Sequence, residues 1–185
     1  MYNLADRVKP SFISLLFIIF SLFIFPTTGI SAPYPHLLQE QAIKRIDTFI
    51  DYFRKTGDRV SLLPQLRQAY TELVTSYNAF LRSDNSAAAA LCLIKLGDIQ
   101  RMQNRWNQAV DFYQQAYKLA KEVDHSALQA KALMGRARTE IYGLRDLGAA
   151  AAHIDEARRL SAKVEDKSYL FDALDYTAQI QVSRG

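Results

Sequence analysis

AALCLIKLGDIQRMQNRWNQAVDFYQQAYKLAKE, residues 89–122, contains the features that decide the fold. Ala109 and Ala116 are seven positions apart, so they share one face of a helix, and Tyr113 lies on that face between them. A polar turn at 103–105 divides the stretch into two helical segments. Alanines allow two helices to cross closely, and a large residue between them fills the space beside the crossing. The stretch therefore predicts a helical hairpin.

The same pattern recurs in AKALMGRARTEIYGLRDLGAAAAHIDEARRLSAK, residues 130–163, where each matching residue has a number higher by 41. The pairs that this shift relates are Ala109 and Ala150, Tyr113 and Ile154, Ala116 and Ala157, Leu119 and Leu160, Val123 and Val164, Ala132 and Ala173, Leu133 and Leu174, and Ala137 and Ala178. A fainter copy lies upstream at a shift of 40. Hairpins that repeat in this way bury their apolar faces by stacking on one another.

Helical periodicity continues through the rest of the chain from residue 36, without sustained two-residue alternation. It predicts an all-α repeat domain over 32–185. The units within it are a degenerate hairpin over 36–82, a repeat over 87–123, a repeat over 126–164 and a capping helix over 167–182.

Tetratricopeptide repeats pair Leu-Gly in a first helix with Ala, an aromatic residue and Ala in a second. Leu96-Gly97, Ala109, Tyr113 and Ala116 match that pattern, so the sequence over about 87–182 resembles this family. The resemblance implies a right-handed α-α superhelix, a solenoid whose groove is lined by the first helix of each hairpin. It also implies a role in binding a protein or peptide partner.

Two departures from the family pattern accompany the resemblance. The unit, measured from Ala109 to Ala150, is longer than the usual length of about 34. The greater length is typical of a subclass with longer helices and predicts an extended link at Glu122 to Ser126. The second repeat has Ala137-Arg138 where the first has Leu96-Gly97, so close helix packing at Arg138 is in question.

The N-terminus has the outline of an export signal. Arg7 and Lys9 precede an uncharged apolar run, residues 11–25, which is followed by a proline and small residues. We expect residues 1–31 to be a cleaved signal peptide, which would place the protein in a periplasm or lumen. The alternative is an uncleaved helix that anchors the chain in a membrane through residues 11–25, although a span normally needs about 20 apolar residues.

The rest of the composition excludes several function classes. Loss of residues 1–32 lowers the formal net charge from +4 to +3, because Arg7, Lys9 and Asp6 are removed, and this charge is too small to indicate nucleic-acid binding. No phosphate loop, nucleophile elbow or paired-cysteine motif is present. We therefore expect no enzyme, no catalytic residue, no cofactor and no metal.

The few residues that often carry chemistry receive structural interpretations. Cys92 is surrounded in the sequence by apolar residues, which favours a small buried side chain over a reactive thiol. None of the three histidines has metal-ligand spacing. His153 is adjacent to acidic residues that do not share its helix face, so we expect it to be solvated. Trp106 is expected to pack against the hairpin end.

If the resemblance holds, the groove residues come from the first helix of each unit. They are Ile94, Asp98, Arg101, Met102, Gly135, Arg138, Thr139, Tyr142 and Tyr176. Arginines could pair with a carboxylate of the partner while aromatic rings cover its apolar side chains. Alternatively, Arg101 and Arg138 are solvated or pair with Asp98 and Glu140. Charge reversal at both arginines should abolish partner capture without lowering the melting temperature if they act in the groove.

Two functions follow from these observations. The first is an exported adaptor or scaffold that binds a partner protein or peptide in the concave groove. The alternative is a membrane-anchored structural module that associates with its own copies through the open end of the solenoid. The intact mass of the purified protein separates them, because the adaptor loses residues 1–31 and the anchored module keeps them.

Overall fold

The structure is a computed structural model, which describes residues 34–58, 60–61, 63–164, 175–178 and 180–182. Within these ranges all regular secondary structure is helical, so the all-α prediction is confirmed for this part of the chain. The helices are α1 (Pro35–Thr56), α2 (Leu63–Arg82), α3 (Ser86–Met102), α4 (Trp106–Glu122), α5 (Ser126–Thr139) and α6 (Leu147–Ser161), with a π-helical turn at Glu140–Leu144 between α5 and α6. The segment 175–182 is helical where it is described.

Each helix packs against the helices before and after it, so α1–α2, α3–α4 and α5–α6 form three successive hairpins. The first helices of neighbouring hairpins also touch, α1 with α3 and α3 with α5. The first helices therefore line a common surface on which residues from all three hairpins meet.

The turns that follow α2, α3, α4 and α5 share one backbone geometry. In each turn a single residue has a positive φ, namely Asp84, Asn104, Asp124 and Arg145. After α2, α3 and α4, the N–H of the residue that follows the positive-φ residue donates to a carbonyl five residues earlier, as in Arg105 N to Gln100 O at 2.9 Å. This is the Schellman ending of a helix, and Asp and Asn adopt the left-handed conformation more easily than most residues.

The π-helical turn accommodates one additional residue. The last closing bond, from Asp146 N to the Glu140 carbonyl, spans six residues where the others span five. Consequently the starts of α4 and α6, at Trp106 and Leu147, are one position further apart than the starts of α3 and α5, at Ser86 and Ser126. Between the first and second repeats, the predicted shift of 41 thus holds for the second helices, whereas the first helices are shifted by 40, and Gly97 corresponds to Ala137.

The alanine positions of the second helices lie in the core, as the hairpin interpretation requires. Ala109, Ala116, Ala150 and Ala157 are completely buried. Tyr113 is also fully buried, and its ring lies against two glycines: a Cβ atom would come within 2.7 Å of the ring at Gly97 and within 2.4 Å at Gly135. One aromatic ring of α4 therefore fills the space between α3 and α5.

Two expectations about the second repeat are wrong. The link between α4 and α5 is not extended, since three residues, 123–125, join them, as three residues join α3 to α4. The added length lies in the helices, because α3 and α4 have 17 residues each. Close packing of α5 is also preserved despite Arg138, because Gly135 and Ala137 supply the small residues.

The expected signal or anchor segment, 1–31, and the first half of the capping helix, 167–174, lie outside the described residues. In the described part of that helix, Tyr176 and Ile180 are buried in a cluster with Met134, Ile141 and Ile154. No helix in the described ranges is both long and apolar enough to cross a membrane.

Candidate functional site

Two adjoining cavities lie where α1, α3 and α5 meet, and we call them together the groove. The apolar cavity, of about 400 Å³, is lined by Phe49, Ile50, Phe53, Arg101, Met102, Asn104, Trp106, Arg138 and Tyr142. The basic cavity, of about 220 Å³, is lined by Ile50, Ile94, Lys95, Asp98, Arg101, Lys131, Met134, Gly135 and Arg138. Ile50, Arg101 and Arg138 line both, so the two form one surface with an apolar and a charged half.

Cations predominate in the basic cavity. Lys95, Arg101, Lys131 and Arg138 line it, whereas Asp98 is the one acidic residue among its lining side chains. Lys95 and Arg101 each approach Asp98 only at 3.9 Å, which is at the outer limit of an ion pair. Positive charge therefore exceeds negative charge in this half of the groove, which favours an anionic ligand.

Asp98 connects the groove to Tyr113, which fills the buried space beside Ala109 and Ala116 that we call the seam of this hairpin. The Tyr113 hydroxyl donates a hydrogen bond of 2.8 Å to Asp98 Oδ1. Burial and the neighbouring Asp98 carboxylate raise the pKa of Tyr113 well above its usual value, so the phenol stays protonated and remains a donor. The ring that separates α3 from α5 thus also fixes the acidic group of the groove.

Arg138 lines both cavities of the groove and is also bonded to Tyr176. Its Nε donates to the Tyr176 hydroxyl, and its guanidinium lies 5.3 Å from the centre of the Tyr176 ring. Burial disfavours the charged form of Arg138, but Tyr176 and Asp98 outweigh burial, so its pKa lies above the usual arginine value. Of the pairings in the alternative interpretation, Arg101 lies 3.9 Å from Asp98, whereas Glu140 bonds to Arg136 and His153.

Arg101 reaches the groove with an unfilled bonding site. Its Nε atom is buried and has no hydrogen-bond partner in the described structure. A buried donor without a partner carries a desolvation cost of about 1–3 kcal/mol. Arg101, Lys131 and Arg138 line the basic cavity together, and three cationic side chains suit it to a carboxylate.

The structure brings most of the predicted groove residues together. Ile94, Asp98, Arg101, Met102, Gly135, Arg138 and Tyr142 line one or both cavities. Tyr176 borders the groove through Arg138 and through Tyr142, whose ring it meets edge-on at 6.3 Å. Thr139 is wrong as a groove residue: its side chain is fully buried, and its hydroxyl donates to the Gly135 carbonyl at 2.9 Å.

Sequence reasoning missed the contributions of α1 and of two lysines. Phe49, Ile50 and Phe53 lie in the predicted degenerate hairpin, 36–82, and they form one wall of the apolar cavity. Lys131 lies seven positions before Arg138, hence on the same helix face, and this spacing could have identified it. Lys95 precedes Asp98 by three positions and could have been found in the same way.

Trp106 and the π-helical turn shape the outer end of the apolar cavity. The Trp106 ring packs on Gly143, where a Cβ atom would come within 2.4 Å of it. The adjacent Tyr142 is half exposed at the cavity wall. Trp106 therefore packs at a hairpin end, as expected. Its ring contacts Gly143 of the next repeat, and it also lines the apolar cavity.

The remaining reactive residues are held in structural contacts. The expectation that His153 is solvated is wrong, because its Nδ1 lies 2.8 Å from Glu140 Oε2, and Glu140 is buried. Burial raises the pKa of the Cys92 thiol to about 12, which makes the reactive thiolate scarce at neutral pH. In the described ranges no group of three or more His, Cys, Asp or Glu side chains is placed to hold a metal ion.

No protein-family model matches the sequence, and a comparison with curated proteins finds no match. The geometry of the groove is therefore the basis for assigning a function.

Proposed function

We propose that the protein is an interaction module of the tetratricopeptide type, which binds an acidic segment of a partner protein or peptide in the groove. The observation that carries this proposal is the convergence of Ile50, Arg101 and Arg138, from three successive hairpins, on one surface with a basic and an apolar half. Carboxylates of the segment would meet the cations, and an apolar or aromatic side chain would enter the apolar cavity.

The repeat architecture supports this proposal. Stacked hairpins require contacts between successive first helices and small buried residues in the second helices, and both are present. In a solenoid of the proposed type the first helices form the concave side, and residues of α1, α3 and α5 line the groove. We infer neither catalysis nor a bound cofactor.

The cellular setting is part of the same proposal. An apolar run at 11–25 followed by small residues is typical of an export signal, which would make the module periplasmic or lumenal. The intact mass of the protein purified from the cells that encode it tests this point. A mass that lacks residues 1–31 supports export of a free module, and a full-length mass supports the membrane-anchored alternative.

Binding is tested by capture of partners with the tagged wild-type protein, followed by titration of a purified acidic segment from the captured partner. Arg101→Glu combined with Lys131→Glu should weaken binding at least about tenfold, because two attractive charges become repulsive. Arg158→Glu with Arg159→Glu makes the same charge change on the exposed face of α6 and is the matched control.

Equal loss of affinity in the groove variant and the control would contradict the proposal. Melting temperatures of both variants show whether folding is intact. Arg138 is left unchanged in this test, because its contact with Tyr176 means that its reversal would disturb the capping helix as well as the groove.

A further inference from the structure

A further cavity, in addition to the two that form the groove, lies at the end of the hairpins where α2 begins and the chain turns from α3 into α4. It has a volume of about 570 Å³ and is lined by Phe49, Leu63, Arg67, Tyr70, Gln100, Met102, Gln103, Asn104 and Arg105. We call it the Gln100 pocket. Its volume lies within the range of about 300–1,000 Å³ that is usual for small-molecule sites.

Gln100 is the unusual residue of this pocket. Only 5% of its surface is exposed, and its Oε1 atom is buried without a hydrogen-bond partner in the described structure. Most buried polar side-chain atoms have a partner, so an unpaired buried amide oxygen in a native protein calls for a ligand or a water molecule. A primary amide offers one acceptor and two donors, and it therefore matches a group that also offers both.

The rest of the lining specifies the remaining chemistry. Arg67 and Arg105 are exposed at the pocket and form no ion pair with any described residue. Two guanidinium groups attract an anion and disfavour a cation. Phe49, Leu63 and Met102 add an apolar wall.

We propose that the Gln100 pocket binds a small organic anion that combines three features: a carboxylate for Arg67 and Arg105, an amide for Gln100, and an apolar body for Phe49, Leu63 and Met102. N-acylated apolar amino acids have this chemistry. The proposal does not depend on partner binding in the groove, although Phe49, Met102 and Asn104 line both this pocket and the apolar cavity.

The probe for this site is N-acetyl-L-phenylalanine, titrated calorimetrically into the full-length protein. A ligand of this size that uses its atoms with ordinary efficiency has a Kd on the order of 0.5 mM. N-acetyl-L-phenylalanine amide, which lacks the carboxylate charge, and 3-phenylpropionate, which lacks the amide, should each bind at least about tenfold more weakly.

Variants assign the two polar contacts. Gln100→Leu should lower the affinity for N-acetyl-L-phenylalanine to the affinity that the wild type has for 3-phenylpropionate. The affinity for 3-phenylpropionate should not change, because only the amide contact is lost. Arg67→Gln with Arg105→Gln should abolish the preference for the charged probe. Arg82→Gln with Arg159→Gln removes the same charge from exposed positions that do not line the pocket, and it should bind like the wild type.

A crystal structure of the protein soaked with the probe completes the test. Probe density with its amide beside Gln100 supports the proposal. Ordered water alone at Gln100, absence of saturable binding, or affinities that do not respond to the Gln100 and arginine variants would overturn it.

Discussion

The α3–α4 and α5–α6 hairpins have the same buried alanines, but different residues fill the seams beside them. In the first hairpin the seam holds Tyr113, whose ring lies between Gly97 and Gly135 and whose hydroxyl reaches Asp98 in the groove. In the second hairpin the equivalent residue is Ile154, which is equally buried but has no hydroxyl. The same alanine scaffold thus accepts an aromatic ring where glycines face it.

The comparison also shows how the chain tolerates an irregular repeat length. The additional residue of the second unit is confined to the π-helical turn at Glu140–Leu144, where Glu140 is held by Arg136 and His153. At the corresponding point of the first unit, Gln100 lies in the last turn of the ordinary helix α3, and its buried Oε1 atom has no hydrogen-bond partner among the described residues. A π-helical turn inside a helix is often found at a functional site, and here it carries Tyr142 to the groove.

The largest difference between the seams should appear when their central residues are truncated. Tyr113→Ala should cost about 3–5 kcal/mol of unfolding free energy, because it removes a fully buried ring and leaves a cavity between α3, α4 and α5. Ile154→Ala removes fewer atoms and should cost less. Urea denaturation of both variants measures the difference, and an equal or greater loss for Ile154→Ala would contradict the account of the seams.

The glycine contact gives a sharper test of the same comparison. Gly135→Ala should destabilise the protein by about 1–3 kcal/mol, since the new methyl group meets the Tyr113 ring. In a Tyr113→Ile background the same substitution should be neutral or stabilising, because alanine favours a helix by about 1 kcal/mol over glycine. The four proteins form a double-mutant cycle, and additive effects would show that the ring does not rest on Gly135.

Gln100 and Glu140 occupy corresponding positions in the two units. Replacing Glu140 with Gln gives both units the same side chain at this position. Glu140→Gln makes the second unit resemble the first and should cost about 1.5–3 kcal/mol, because hydrogen bonds of a buried carboxylate to Arg136 and His153 are weakened. Thermal or urea unfolding measures this cost. Wild-type stability of Glu140→Gln would show that the carboxylate does not hold the π-helical turn.

Alkaline pH should destabilise the contact between the two hairpins on their second-helix side. Tyr117 of α4 donates to Glu156 of α6 at 2.6 Å, and this bond, followed by burial, raises the pKa of Tyr117 to about 12. The folded state keeps the proton, whereas an unfolded tyrosine loses it near pH 10, so stability is full below about pH 10 and falls as the pH rises towards 12. Tyr117→Phe should make urea midpoints fall less steeply over that range.

The smallest effect should come from a surface ion pair of the second hairpin. Arg158 and Asp155 are 3.4 Å apart with side chains 55% and 58% exposed, so Arg158→Ala should change the unfolding free energy by less than about 0.5 kcal/mol. Urea denaturation beside the wild type measures this change. A larger loss would show that the exposed face of α6 is covered in solution.

Periodicity was sufficient to predict the helices and the buried alanine seams, because both depend on residues close together in the sequence. It could not predict that Tyr113 contacts Gly135, since that contact joins two hairpins and depends on how they stack. For the same reason, the sequence predicted one part of the groove and not the other. Residues sharing a helix face with Arg101 and Arg138 were found, whereas the wall from α1 and the buried position of Thr139 depend on tertiary packing.

The position of the Tyr113 ring between two successive first helices is the most direct test of the stacked-hairpin account. Nuclear Overhauser spectra of the protein with labelled tyrosine and glycine would measure it. The account predicts cross-peaks from the Tyr113 ring protons to the α-protons of both Gly97 and Gly135. Cross-peaks to Gly97 alone would show that the hairpins do not stack through this seam and would contradict it.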